Sequence, residues 1–224
     1  MDKIDVVIIG AGIAGITTAY YLQENFPNIT YKILESRNDL GGTWDQMNFP
    51  GVRADNDMYT YGYSFNPWQG SIIGKGPDIK KYINHTAEKF NIKKYMLFDT
   101  EVTSLSWKND QWITKTDHTN FTSQYVICCT GSRDNKNPNL PKFKDENKYQ
   151  GKIVHTQAWG DTDYKDKNVT IIGSGCTAIT MTPSIVKKAK TVTLIQRTPG
   201  YIINIDSQEK SNRSYKTFEV LKDY

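Results

Sequence analysis

Apolar positions in the first part of the chain fall into patterns that change abruptly at glycine. Ile4–Ile9 is a short apolar run stopped by Gly10, as expected of a strand buried on both faces. The stretch Gly10–Gly15 opens a helical pattern that runs through Tyr21 and Leu22 and ends near Pro27, and Tyr31–Glu35 is the next strand. From Ser36 to about Gly76 the chain is rich in Gly, Pro, Asn and Asp. It also carries Trp44, Phe49, Tyr59, Tyr61, Tyr63, Phe65 and Trp68. Loops this long inside a domain are usually functional or disordered, and the aromatic density argues against disorder. Pro77-Asp78 starts a helix with Ile79, Tyr82, Ile83, Ala87 and Phe90 at helical spacing. Met96–Trp107, Trp112–Thr116 and Phe121–Cys129 then read as strands, with turns at Asn109-Asp110 and Thr119-Asn120.

A Pro- and Asn-rich stretch, Asn135–Pro141, is the candidate boundary, and beyond it the opening pattern repeats. Val169–Ile172 is a strand and Gly173–Ala178 a glycine turn. Ile179–Lys188 follows as a helix kinked near Pro183, and Val192–Gln196 as a second strand. The tail beyond Tyr201 is polar. The expectation is an α/β chain with one Rossmann-like domain over 1–145 and the start of a second over 146–224. Two strands and one helix cannot by themselves cover a doubly wound sheet, so the second domain reads as incomplete.

Composition removes several classes. The 224 residues are 38% hydrophobic and 23% charged, which is too apolar for a disordered chain of net charge +4. No apolar run is long enough for a transmembrane helix. The 28 Lys and Arg are interleaved with 24 Asp and Glu, a poor footprint for nucleic acid. Three cysteines, two of them adjacent (Cys128, Cys129), form neither a disulfide framework nor a Cys-x-x-Cys redox pair. The start lacks the features of a secretory signal, so the expected location is cytoplasmic or membrane-peripheral.

Gly10-x-Gly12-x-Ala14-Gly15 stands after a strand and at a helix start, where a dinucleotide turn must stand. The first glycine makes the tight turn, the second lets backbone approach a pyrophosphate, and the third lets helix pack on strand. Glu35, 20 residues beyond Gly15 at the end of the second strand, is placed to accept hydrogen bonds from a ribose. The second turn, Gly173-Ser174-Gly175-Cys176-Thr177-Ala178, leads to a strand that ends in Arg197-Thr198. An arginine there suits a 2′-phosphate, whereas a carboxylate suits a free 2′-hydroxyl. The pair therefore reads as one site for FAD or NAD and one for NADP.

A third group of residues narrows the class. Gly41-Gly42-Thr43-Trp44-Asp45, Phe49-Pro50-Gly51-Val52-Arg53-Ala54-Asp55 and Tyr59-Thr60-Tyr61 resemble the flavin-site loops of Baeyer–Villiger (class B flavin) monooxygenases, most of all the ethionamide-activating branch. Tyr149-x-Gly151-x-x-x-His155-x-x-x-Trp159-Gly160 resembles that family's fingerprint, with Tyr149 and Gly160 departing from its usual first and last residues. The resemblance covers about Asp5 to Ile205. It implies FAD contacts at Gly10, Gly12, Ala14, Gly15, Glu35, Gly42, Thr43, Trp44, Asp45, Arg53, Ala54 and Asp55, with Tyr61 beside the ring system and Val102 near the adenine. It implies NADP contacts at Gly173, Ser174, Gly175, Cys176, Thr177, Ala178, Arg197 and Thr198, and a coupling role in the linker for His155 and Trp159.

The reaction implied by the resemblance is NADPH-driven insertion of one oxygen of O2 into a ketone, or oxygenation of sulfur. Asp55 would then orient a catalytic arginine that the family carries in a later part of the chain. The expected partners are a small ketone or thioether and O2, with a second chain supplying the missing half if the protein is split. The chain reads as a truncated or split form of such an enzyme; a catalytically dead dinucleotide-binding remnant and an N- or S-oxygenating flavin monooxygenase are the alternatives. Residue by residue, plainer readings stand beside these. Tyr63, Phe65 and Trp68 read as core, His155 equally as a structural histidine, Asp55 also as a turn residue, and Cys128 and Cys129 as core. Cys176 reads as a small residue beside the pyrophosphate, at a helix start that would favour a thiolate.

Overall fold

The computed structural model describes residues 2–132, 138, 140–198 and 200–202. The Asn135–Pro141 boundary lies largely outside these residues, as does the polar tail beyond Ile202. The chain divides into two units, Met1–Gln46 with Lys80–Asp134 and Met47–Ile79 with Asn135–Tyr224.

In the first unit β1 (Asp2–Ile9) is followed by α1 (Ile13–Asn25) and β2 (Tyr31–Leu34). β3 (Met96–Leu97), β4 (Val102–Lys108), β5 (Gln111–Thr116) and β6 (Asn120–Cys128) complete a sheet of order β3-β2-β1-β6-β5-β4. β1 is parallel to both β2 and β6, whereas β4, β5 and β6 form an antiparallel meander. Because side chains alternate along a strand, β1 feeds both faces. Val7 and Leu34 cluster with Phe121, joined by Ile9, Leu97, Val102 and Val126. Val6, Ile8 and Ile33 are fully buried on the opposite face, as are Ile16 and Ala19 of α1, which packs on β1 and β2.

The strand expected over Met96–Trp107 is broken. Asp99 adopts φ +49, a left-handed conformation that no strand contains, and its neighbour Thr100 turns its N–H to the carbonyl of Glu35. That break lets the chain leave a parallel pairing with β2 and enter an antiparallel one with β5. The turn at Asn109-Asp110 is as expected, with φ of +53 and +57, the mirror-image geometry that fits a two-residue hairpin. It brings Trp107 and Trp112 into register, edge to face at 5.5 Å. Cys128 ends β6 exposed at the sheet rim instead of lying in the core; only Cys129 is half-buried, where burial pushes its thiol pKa up against a partly offsetting contact with Thr18.

In the second unit the segment from Met47 onward contributes α3 (Met58–Tyr61), after α2 (Thr43–Gln46) in the first; α4 (Gly76–Lys89) follows. The aromatic stretch is held by its own backbone: the N–H of Ala54 donates to Gly74, that of Gly76 to Val52, and that of Met58 to Ile72. Tyr63 and Trp68 are buried and Tyr63 stacks on Phe65, which fits the core reading of these three. β7 (Asn168–Ile172) and β8 (Thr191–Ile195) pair in parallel, with α5 (Cys176–Val186) between them. α5 starts three residues earlier than the sequence pattern indicates, directly from the glycine turn, and carries Pro183 inside it. Its buried residues Ala178, Met181 and Ile185 cluster with Ile171, Met47 and Phe49. Residues 47–79 therefore share a core with 169–185, and the contact boundaries differ from a simple division of the chain at 145. No helix among the described residues is long and apolar enough to cross a membrane.

Candidate functional site

Both glycine turns form as strand–turn–helix units, and the first is fixed by sterics. Gly10 has φ +104, and a Cβ there would stand 2.5 Å from the carbonyl oxygen of Cys129. A Cβ on Gly15 would stand 2.0 Å from the carbonyl oxygen of Gly10, so only glycine lets α1 sit this close to β1. Gly12 differs. It is the N-cap of α1 with φ −80, and the nearest atom to a Cβ would be the Gly42 Cα at 3.7 Å. A side chain at Gly12 would thus be in ordinary contact with Gly42, without the backbone clash that fixes Gly10 and Gly15.

The start of α1 has no side-chain cap and no acidic residue in its first turn. Its leading N–H groups, with the positive end of the helix dipole, are therefore left for an anion. Glu35 follows β2 directly and is buried. Its Oε2 accepts the Ala11 N–H at 2.8 Å and its Oε1 the Arg37 N–H at 3.0 Å. A carboxylate has about four acceptor positions, so these bonds aim it at the turn without exhausting it.

The chain at Gly41 and Gly42 lies against the same helix start, the Gly41 N–H donating to the Ala11 carbonyl at 3.0 Å. Gly42 has φ +55, and its Cβ position lies 3.1 Å from the Gly12 Cα. Ala14 and Thr43 are exposed on this rim and Trp44 is half-buried. The Asp45 carboxylate takes up internal partners. Its Oδ2 accepts from Arg37 Nε at 2.7 Å, and its Oδ1 is paired with the Lys80 ammonium. Val102 packs in the core of the first unit, at the start of β4.

In the second unit the turn repeats with more open sterics. Gly173 has φ +146 and donates its N–H to Ile195, while a Cβ on Gly175, the N-cap of α5, would meet nothing within 4 Å. This helix start is likewise uncapped and free of acidic residues in its first turn. Ser174 and Thr177 are half-buried, Ala178 is in the core, and Arg197 and Thr198 are exposed just beyond β8.

The loop of Arg53, Ala54 and Asp55 lies with this unit. Gly51 has φ +82, and a Cβ there would stand 2.8 Å from the Thr180 carbonyl oxygen. Asp55 is exposed at its rim; Thr180 Oγ1 lies 3.5 Å from Asp55 Oδ1, at the limit of a hydrogen bond. A hydrogen bond from Cys176 to Asp55, with burial second, pushes the Cys176 thiol up from its ordinary value. The helix start would lower it, so the thiolate that position suggests is overridden by the neighbouring carboxylate. Ala54 is buried, the backbone of Arg53 pairs antiparallel with that of Lys75, and Tyr61 is exposed at the end of α3.

Between the two glycine turns in sequence, His155 caps a short turn, its Nδ1 accepting the Gln157 N–H at 3.3 Å. Trp159 packs edge to face on Tyr164. Gly160 has φ +54, a left-handed turn that glycine makes without strain. The Tyr149 ring lies over Gly151, where a Cβ would stand 2.4 Å away. Three residues that sequence reasoning did not single out hold the motif residues in place: Arg37, Lys80 and Thr180. Thr180 was detectable as one helical turn beyond Cys176; Lys80 had no local signal, because its contacts are tertiary.

A family model described as pyridine nucleotide-disulphide oxidoreductase matches residues 4–218. The chain is 37% identical over 225 residues to the FAD-containing monooxygenase EthA of Mycobacterium tuberculosis strain H37Rv, covering 95% of this chain and 46% of that protein. It resembles the crystal structure of an OTEMO complex with FAD and NADP, with a TM-score of 0.81 at 27% identity, covering 99% of this chain and 44% of that one. It also resembles an oxidized steroid monooxygenase bound to NADP, with a TM-score of 0.83 at 27% identity over 98% of this chain and 44% of that one. The chain spans less than half the length of these relatives.

Proposed function

The chain belongs to the pyridine nucleotide-disulphide oxidoreductase family, and from that premise we propose that it forms the two dinucleotide sites of an FAD- and NADPH-dependent Baeyer–Villiger-type monooxygenase. The disulfide chemistry in the family's name is not part of this reading, since the sequence has no Cys-x-x-Cys pair. The observation that carries the proposal is the pair of uncapped helix starts with opposite groups at the following strand end, Glu35 at one and Arg197 at the other.

In this proposal residues 1–145 serve FAD and residues 146–224 begin the NADP part. The α1 start and Gly12 take the FAD pyrophosphate, and Glu35 accepts ribose hydroxyls with the acceptor positions its backbone partners leave. Gly42, Thr43 and Trp44 form the opposite wall. The α5 start takes the NADP pyrophosphate, and Arg197 and Thr198 take the 2′-phosphate by charge-assisted hydrogen bonding. Bound FAD supplies hydride acceptance and oxygen activation, chemistry that no side chain provides. Asp55 supplies an exposed carboxylate, oriented by Cys176 and Thr180, to hold a cationic group near the reacting centre. A small ketone or thioether is the substrate class, and in a split form a second chain supplies the half that this sequence does not match.

The test is direct. The purified chain, incubated with FAD and freed of excess, should show a bound-flavin absorption spectrum that bleaches on addition of NADPH. Bleaching with NADPH but not with NADH supports the arginine assignment. A chain that retains no flavin after incubation overturns the proposal for the first turn, and retained flavin that NADPH leaves oxidised overturns it for the second.

A further inference from the structure

Outside the glycine turns, the densest set of charged contacts in the first unit surrounds Asp45. Its side chain is only 8% exposed, and two cations reach it from different directions: Arg37 from just after β2 (Nη2 to Oδ2, 2.6 Å) and Lys80 from α4. Lys80 extends to a second carboxylate, Asp39 Oδ2, at 2.8 Å. A carboxylate this buried is stable only when paired, so the contacts fix where residues 37–45 run. The chain they enclose has no slack. Gly41, at φ +120, donates its N–H to the Ala11 carbonyl at 3.0 Å, and a Cβ on it would stand 3.3 Å from the Asp45 Cβ and 3.6 Å from the Lys80 Cγ. Gly42, next along, lies against Gly12.

We infer that Lys80 is a positioning residue for the first dinucleotide site: by joining Asp45 to Asp39 it closes residues 37–45 into a clamp that holds Gly42 against Gly12 and so sets the second wall of the pyrophosphate cradle. The inference rests on the FAD reading of that turn. Asp45, which the resemblance treats as a cofactor contact, acts through this clamp. Burial alone would lower the Lys80 pKa, but its hydrogen bonds to Asp39 and Asp45 outweigh that and raise it. Burial likewise works against the Asp39 carboxylate, yet the Lys80 contact holds it below its ordinary value. The outer pair thus stays ionised across neutral pH. Neither Lys80 nor Asp39 needs to touch the cofactor.

The experiment compares wild type with K80M, which keeps most of the apolar stem, and K80R, which keeps the charge. Hydrogen exchange of a peptide spanning residues 37–47 reads the clamp, and fluorescence titrations read FAD and NADP affinity. K80M should exchange faster in that peptide alone and bind FAD at least tenfold more weakly, with NADP affinity unchanged and both effects restored by K80R. Unchanged exchange and unchanged FAD affinity in folded K80M overturn the inference. So does a loss accompanied by faster exchange throughout the chain. If K80M does not fold, D39N removes only the outer partner and should shift both readouts the same way by less; no shift there also overturns it. A wild type without FAD affinity overturns the FAD reading instead, and the exchange of residues 37–47 then decides the clamp on its own.

Discussion

Replacing Gly15 and Gly12 in turn by alanine separates what the first turn does for folding from what it does for binding. At Gly15 the added methyl would stand 2.0 Å from the Gly10 carbonyl oxygen, a backbone atom on a residue itself held at φ +104 against Cys129. Neither side can rotate away, so α1 must lift from β1. Such overpacking costs about 3 kcal/mol, the upper part of the usual range, because backbone meets backbone. Alanine's better helix propensity returns about 0.5–1 kcal/mol. The net loss of about 2 kcal/mol corresponds to a fall in melting temperature of about 4–8 °C for a chain of this size. At Gly12 the methyl has room, with the Gly42 Cα 3.7 Å away and an ordinary φ of −80. The loss there should stay below about 1 kcal/mol, that of a poorer N-cap. FAD affinity should nonetheless fall at least tenfold, about 1.4 kcal/mol, because the methyl enters the gap beside Gly42 that the proposal gives to the phosphates. Thermal melts with and without FAD, alongside a fluorescence titration, read both quantities. Equal melting losses in the two variants, or a Gly12→Ala chain that binds FAD like wild type, would refute the reasoning.

Two further outcomes are expected in the second unit. Phe49→Ala removes a buried ring that packs with Ile171, Met181 and Ile185. It should cost about 3–5 kcal/mol, read as faster hydrogen exchange in β7 and α5. A change confined to residues 47–79 would contradict the shared core. Cys176 should alkylate more slowly at pH 8 than an ordinary exposed thiol, because its raised pKa leaves less thiolate at that pH. Asp55→Asn should lower that pKa and speed labelling of the Cys176 peptide, measured by mass spectrometry; an unchanged rate would remove the hydrogen bond to Asp55 as the cause.

The parts of this fold legible in the sequence are those encoded by spacing within one element. The Gly10, Gly12 and Gly15 spacing placed α1 on β1, and Asn109-Asp110 placed the hairpin, because steric rules at those positions admit few residues. What was not legible depends on tertiary position. In Met96–Trp107 only the residue type hints at Asp99, since aspartate tolerates the left-handed region; the break exists because the chain must change from a parallel to an antiparallel neighbour. Cys128 follows an apolar run, and only the sheet's rim makes it exposed. Asp45 carries the same motif letter whether it faces a cofactor or an ion pair, and only folding brings Lys80 to it. Met47 and Phe49 adjoin the first unit in sequence, and their packing on α5 depends on a helix encoded far downstream.

That last packing has a consequence for how the protein is made. Residues 47–79 leave the ribosome long before β7 and α5 are synthesised, so Met47 and Phe49 must wait exposed, without the surface that buries them. The contact is non-local, and closing so long a loop slows its formation. During that interval a stretch dense in aromatic side chains is open to chaperones and to its own neighbours. A chimaera that transplants the second unit from residue 146 onward would leave Ile171 and Ile185 bare; a working graft has to carry residues 47–79 with it.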